Sequence, residues 1–244
     1  MRSNLPDKDN FLGISIPGHD SYVVTEYIDS GSNGHLFRAT NPSIEGALAF
    51  KVVPITNIPP SEQELYLEEA KKANIIDSST VVRYHDVVPY DDPESSTKCV
   101  VFVCDYVDGK SLKHYIDESE LRKRINIAFI REFLSTMLAL LFELQARKLT
   151  HGDLHAGNVL VVTSQYDIED RATFRVTDFG VRAITGIAGD GRDFLNVANT
   201  LSSLLGVVDY SDLDGRDRFL YLRLRDDFLS RHLIETDHTA DPLA

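Results

Sequence analysis

Apolar and polar positions divide the chain into a strand-rich first part and a helix-rich second part. SYVVTEYID (21–29) and HLFRAT (35–40) carry the period-two alternation of strands and flank a Gly/Ser/Asn turn, and GALAFKVV (46–53) follows the turn signal Asn41-Pro42. Pro59-Pro60-Ser61 then announces a helix, because Ser61 and Glu64 form a capping pattern and apolar residues recur through Ile76. Two further strands follow near 82–88 and 98–105, with the polar loop DDPESST between them. After Gly109 the period lengthens. Residues 111–118 read as a short helix and 121–147 as a long one, apolar on most sides and therefore buried. Arg147 and Lys148 place positive charge at its C-terminus, where the helix dipole favours it. Beyond the loop THGDLHAGN come the short strands VLVV and FRVTD, then helices over 192–205 and 216–232. Strands first and helices second predict an α+β fold divided between residues 105 and 109. Residues 1–20 form a polar arm packed loosely on the body.

Composition narrows the classes. The length, 244 residues, suits one larger domain or two small packed lobes. With 43% apolar and 26% charged residues the chain has the balance of an ordered globular protein. Its 25 basic against 38 acidic side chains give a net charge of −13, which phosphate backbones and anionic lipid repel. Nucleic acid and membrane are therefore poor partners. The longest uncharged run, 194–208, contains five Asn, Ser and Thr residues, and the greasiest, 133–142, falls short of the ~20 apolar residues that span a bilayer. Behind Arg2 there is no apolar core, so the N-terminus does not read as a secretory signal. Cys99 and Cys104 lie five apart in one strand, on opposite faces, and are not expected to pair. A reducing, cytoplasmic location is the simplest reading. No feature of the sequence bears on oligomeric state.

Three constellations carry chemistry. Gly31-Ser32-Asn33-Gly34 is either an ordinary hairpin turn or a loop whose backbone N–H groups approach phosphate oxygens. Lys51 lies inside the apolar strand ALAFKVV, where it must snorkel to water or meet an anion. In the helix that follows, Leu65, Glu69, Ala73 and Ile76 share the inward stripe, so Glu69 needs a cation and Lys51 is the available one. The third is THGDLHAGN. Asp153 and Asn158 are five apart in a loop ending at a strand, and Asp178 follows in VTDFG. Oxygen ligands for Mg²⁺ beside a separate carboxylate are what phosphoryl transfer needs. An alternative takes His151, Asp153 and His155 as an H-x-D-x-H metal site.

Taken together, Gly31-x-x-Gly34-x-Leu36, Ala49-Phe50-Lys51, Glu69, HGDLHAGN and Asp178-Phe179-Gly180 resemble the protein-kinase-like phosphotransferase superfamily in order and spacing. The resemblance runs from residue 21 to about 206. The compact bacterial eukaryotic-like Ser/Thr kinases fit the chain's size, while HGDLHAGN is similar to the loop of aminoglycoside and choline phosphotransferases. It implies a bilobal fold: residues 21–105 as an N-lobe of antiparallel sheet plus one helix, and 106–244 as a mainly helical C-lobe. It also implies ATP and Mg²⁺. Lys51 would bind the α/β-phosphates with Glu69 holding it, and Gly31 and Gly34 would cover the phosphates. Leu36, Ala49 and Leu160 would enclose the adenine. Cys104 falls at the gatekeeper position, and the Asp105 carbonyl and Val107 amide would read the adenine edge. Asp153 would accept or orient the substrate hydroxyl proton, and Asn158 and Asp178 would ligate Mg²⁺. His151 and Phe179 would join Ala73 and Tyr84 in an internal stack, and Asp193 would anchor the catalytic loop from a helix start capped by Asp190.

The departures are equally specific. Asp29 stands at the first glycine of the phosphate loop, Gly152 replaces the arginine beside the catalytic aspartate, and His155 replaces a lysine that helps stabilise the transferring phosphoryl group. Without that arginine, control by a phosphorylated activation loop is not expected. Only twelve residues separate Gly180 from Asp193, with no A-P-E, so the activation segment is short and most of the peptide-docking platform is missing. The first reading is a kinase acting on Ser or Thr of a protein. The second is a small-molecule hydroxyl phosphotransferase, and the third a pseudokinase used for binding.

Overall fold

The alternating β-branched and aromatic positions of the first hundred residues fold as one antiparallel sheet in a computed structural model. It describes residues 5–31, 34–56, 58–59, 74–76, 78–162, 172–179 and 191–229. The sheet comprises β1 (Val23–Gly31), β2 (Gly34–Thr40), β3 (Ala47–Pro54), β4 (Tyr84–Asp91) and β5 (Lys98–Asp105), in the order β1-β2-β3-β5-β4. Two compact units divide between Val107 and Asp108.

Register decides what each face of this first unit carries. Phe37 opposes Phe50 and Phe50 opposes Val103, while Leu36 opposes Lys51, Lys51 opposes Phe102 and Ala49 opposes Cys104. Opposed residues share a face, so the sheet has an aromatic and aliphatic side and a second side holding Leu36, Ala49, Lys51 and Cys104. The N-terminal arm covers the first side. The expectation of loose packing is overturned: Phe11 and Ile16 are fully buried with Phe37, Phe50, Val52 and Val101. Phe11 meets Phe37 at 5.4 Å and Tyr90 at 5.7 Å between ring centroids. Two fully buried apolar side chains contribute about 1.5–3 kcal/mol each, enough to make an otherwise polar arm part of the core. His35 Nε2 also donates to the Pro6 carbonyl at 2.9 Å, and Asn10 Nδ2 to Asp92 at 3.1 Å.

The helix expected after Pro60 falls mostly outside the described residues, with Glu69 and the Ser61–Glu64 cap. Its described end, Asn74, donates to the Tyr84 carbonyl at 2.7 Å and accepts from the Tyr84 N–H at 3.1 Å.

In the second unit a three-stranded sheet, β6 (Gly109–Ser111), β7 (Val159–Val162) and β8 (Thr173–Val176), lies among α1 (Leu112–Asp117), α2 (Ser119–Arg122), α3 (Ile127–Ala146), α4 (Arg192–Gly206) and α5 (Gly215–Leu222). The last of these continues as wider π-type turns over Arg223–Leu229. The long helix begins at Ile127 and not near residue 121. Asn126 adopts extended backbone and its side chain accepts from the Phe129 N–H, a cap that starts a new helix there. Along α3, Ile127, Ile130, Phe133, Met137, Leu140 and Leu144 are buried, the inward stripe of a helix packed in a core. Among the described residues no helix is long and apolar enough to cross a membrane.

Candidate active site

The loop that matters leaves the end of α3. Lys148 takes a positive φ of 56°, and its N–H donates to the Gln145 carbonyl while that of Leu149 donates to Leu144. This paired closure turns the chain sharply into His151.

His151 is fully buried, its ring centroid 4.4 Å from that of Phe179 and the two planes tilted by 37°. Its Nε2 lies 3.2 Å from the Thr177 carbonyl and its Nδ1 3.3 Å from the Asp153 N–H. Those partners require a proton on Nε2 and none on Nδ1. Burial pushes its pKa down to about 4, opposed in part by the Thr177 carbonyl and the Asp178 carboxylate. With both nitrogens engaged, His151 is not a metal ligand. Among the described residues no group of three or more His, Cys, Asp or Glu could hold a metal. The H-x-D-x-H alternative is thereby set aside.

Asp193, in the first turn of α4, takes the anchoring position expected of it. Its Oδ2 accepts from the His151 N–H at 2.6 Å and its Oδ1 from the Gly152 N–H at 2.9 Å. A nine-tenths-buried carboxylate with two backbone donors is a charge-assisted clamp on the loop. The helix N-cap is Gly191, with φ 67°, while Asp190 lies outside the described residues. Gly152, at φ 82°, occupies backbone that other residues enter only with strain.

Asn158 closes the loop. Its Nδ2 donates to the Asp153 carbonyl at 2.9 Å and approaches Asp153 Oδ2 at 3.3 Å. The Asn158 carbonyl accepts from Thr177 N–H at 3.0 Å, and Val159 pairs with Val176, so Asn158 and Asp178 leave the β7–β8 ladder at the same end. With its amide N–H groups turned toward Asp153, Asn158 has its oxygen left for a cation. Asp178, at φ 61°, supplies a carboxylate from a left-handed backbone that Asp tolerates better than most residues. One amide oxygen and one carboxylate suit Mg²⁺ carried on phosphates rather than an all-protein cage.

In the first unit, Lys51 Nζ lies 5.9 Å from the Phe102 ring centroid, on the face shared with Leu36, Ala49 and Cys104. The Cys104 thiol donates to the Ala49 carbonyl at 3.5 Å. Gly31 and Gly34 oppose each other at the hairpin, but their needs differ. A Cβ on Gly34 would meet the Val52 carbonyl oxygen at 2.1 Å, whereas one on Gly31 would meet nothing within 4 Å among the described residues. Gly34 is thus required by the neighbouring strand, and Gly31 keeps an open backbone. Asp105 ends β5, with its carboxylate 2.8 Å from His85 Nε2, and Val107 closes the first unit. Leu160 lies on β7 of the second unit, opposite Ser111 and Arg175.

Two contributors escaped the sequence reading. Thr177 holds His151 and Asn158 through its backbone, which no motif reveals, and its hydroxyl donates to Asp178 Oδ1 at 3.4 Å. Gly157 gave a signal, a glycine two residues after His155, whose meaning depends on the ring's position.

The sequence matches the protein kinase domain family over residues 22–197, well over half of the chain. Among solved structures, the Mycobacterium tuberculosis PknI kinase domain is similar at TM-score 0.64 and 21% identity, covering 91% of this chain and 90% of that one. A double mutant of the same domain gives TM-score 0.61 at 21% identity, covering 91% and 89%. At that identity the likeness speaks for the bilobal fold, an antiparallel-sheet lobe followed by a helical one.

Proposed function

The chain belongs to the protein kinase family, and from that premise we propose that it transfers the γ-phosphoryl group of ATP to a hydroxyl, first of all Ser or Thr of a protein. The observation that carries this reading is the Asp153 carboxylate, exposed and approached by Asn158 on a loop whose backbone Asp193 clamps. Asp153 accepts the proton of the substrate hydroxyl. Lys51, steadied by Glu69, aligns the α/β-phosphates beneath the backbone of Gly31 and Gly34. Leu36 and Ala49 contact the adenine from the first unit, with Cys104 behind it and the Asp105 carbonyl and Val107 amide along its edge. Asn158 and Asp178 hold Mg²⁺, which when bound neutralises charge on the phosphate oxygens. The rest is positioning and charge stabilisation, since phosphoryl transfer asks little covalent help of the protein. Both cysteines are buried and free, in keeping with the reducing cytoplasm as its location.

A small-molecule hydroxyl is the second reading, favoured by the twelve residues between Gly180 and Asp193, too few for the usual peptide platform. A pseudokinase is disfavoured because Lys51, Glu69, Asp153, Asn158 and Asp178 are all present. Transfer from γ-labelled ATP with Mg²⁺, offered mixed proteins and separately a panel of small alcohols, tests the reading. Label on protein is the expected result. Label only on an alcohol would overturn the protein-substrate assignment, and no label with nucleotide bound would favour the pseudokinase.

A further inference from the structure

His155 stands where protein kinases carry a lysine, yet its ring is turned to a different task. Its Nδ1 accepts from the Gly157 N–H at 3.0 Å, which caps the short 3₁₀ turn Ala156–Asn158 that presents Asn158. An N–H can donate only to an unprotonated ring nitrogen, so the ring proton sits on Nε2. That nitrogen faces Asp153 Oδ2 at 3.7 Å, the same oxygen that Asn158 Nδ2 approaches at 3.3 Å. Asp153 Oδ1 has no hydrogen bond to any described residue. The ring can lie there only because residue 157 is glycine: a Cβ would come within 2.7 Å of His155 Cε1 and 3.0 Å of Nδ1.

We propose that His155 and Gly157 form a coupled positioning device that assigns separate work to the two oxygens of Asp153. Oδ2 is turned inward to His155 Nε2 and Asn158 Nδ2, and Oδ1 is left to accept the substrate's proton. As the hydroxyl oxygen bonds to the γ-phosphorus, its proton passes to Oδ1. The bond from phosphorus to the β–γ bridging oxygen breaks, and ADP leaves with that electron pair. His155 is a positioning residue here and not a stand-in for the lysine's charge on the phosphoryl group. The device rests on the reading of Asp153 as the proton acceptor.

Two measurements on the full chain test it. Long-range ¹H–¹⁵N spectra of the histidine rings, assigned with His155→Asn, should show His155 with its proton on Nε2 and should lose that signature in Gly157→Ala. A proton on Nδ1 in the wild type would overturn the proposal whether or not transfer is detected. In the labelled-ATP assay, His155→Asn puts an amide oxygen in place of the capping Nδ1 but lacks the Nε2 donor. It should leave KM for ATP unchanged and lower kcat about 10- to 100-fold. Gly157→Ala should do the same, and should add nothing in a His155→Ala background. A kcat within twofold of wild type for His155→Asn, or a full additional loss from Gly157→Ala without the ring, would sink the device. Retained transfer in Asp153→Asn would instead sink the underlying reading, while the spectra would still report the ring.

Discussion

Leu36, Ala49, Lys51 and Cys104 reach one face of the first unit through ladder register alone, whereas Asp153 and Asn158 of the second unit are held by individual side chains. Register is main-chain geometry and tolerates changes of side chain. A loop without a ladder depends on each hydrogen bond, and the loss of one partner leaves a buried group unsatisfied. Substitutions in the sheet should therefore separate chemistry from stability, and substitutions at the loop's buried anchors should lose both together.

The largest expected effect breaks the sheet's packing and leaves its register residues untouched. Phe11→Ala removes a fully buried ring and should cost about 4 kcal/mol in urea unfolding; a loss under about 1 kcal/mol would restore the loosely packed arm. Asp193→Ala comes next, because it strands the N–H groups of His151 and Gly152. It should cost about 3 kcal/mol and speed hydrogen exchange at those two amides, with part of the loss recovered in Asp193→Asn.

His151 makes the loop sensitive to acid. The ordinary histidine value is 6.5 and burial lowers it to about 4, so between those values the unfolded chain binds a proton that the native state refuses. Stability should be intact above pH 6.5 and fall by on the order of 3 kcal/mol as the pH drops to 4. Urea midpoints across that range should show the slope in the wild type and a flatter one in His151→Asn.

Smaller effects sharpen the contrast. Lys148 holds a left-handed backbone at the close of α3, so Lys148→Gly should stabilise by about 1 kcal/mol in thermal unfolding. Lys51→Met should lose turnover while costing less stability than Asp193→Ala, because the residue's position is set by β3 and not by its side chain. Equal losses of stability at Lys51 and Asp193 would erase the distinction between the two units.

The same distinction explains what could be read from the sequence. Elements with a strong local signal were legible: strand 98–105 is a continuous apolar run, α1 starts behind the Ser111 cap, and α4 starts at Arg192 as expected. So was Asp193, through the resemblance, whose anchoring aspartate it matches in distance from Asp178. The start of α3 was misplaced, although Asn126 was there as a cap, since apolar residues run through both sides of the break. Phe11 and Ile16 were too sparse in a polar arm to declare their burial. β6, three residues long, has no period to detect. The Thr177 carbonyl belongs to tertiary contact, which no spacing encodes, and the clearance at Gly157 depends on how the His155 ring is turned.

Single-turnover transfer from γ-labelled ATP by wild type and by Asp153→Asn, with nucleotide binding measured on the same samples, tests the central claim most directly. The amide keeps the shape of the carboxylate but removes the proton acceptor. The account predicts unchanged nucleotide affinity and transfer reduced at least about 100-fold. Transfer within tenfold of wild type would contradict the assignment of Asp153, and with it the reading of the loop.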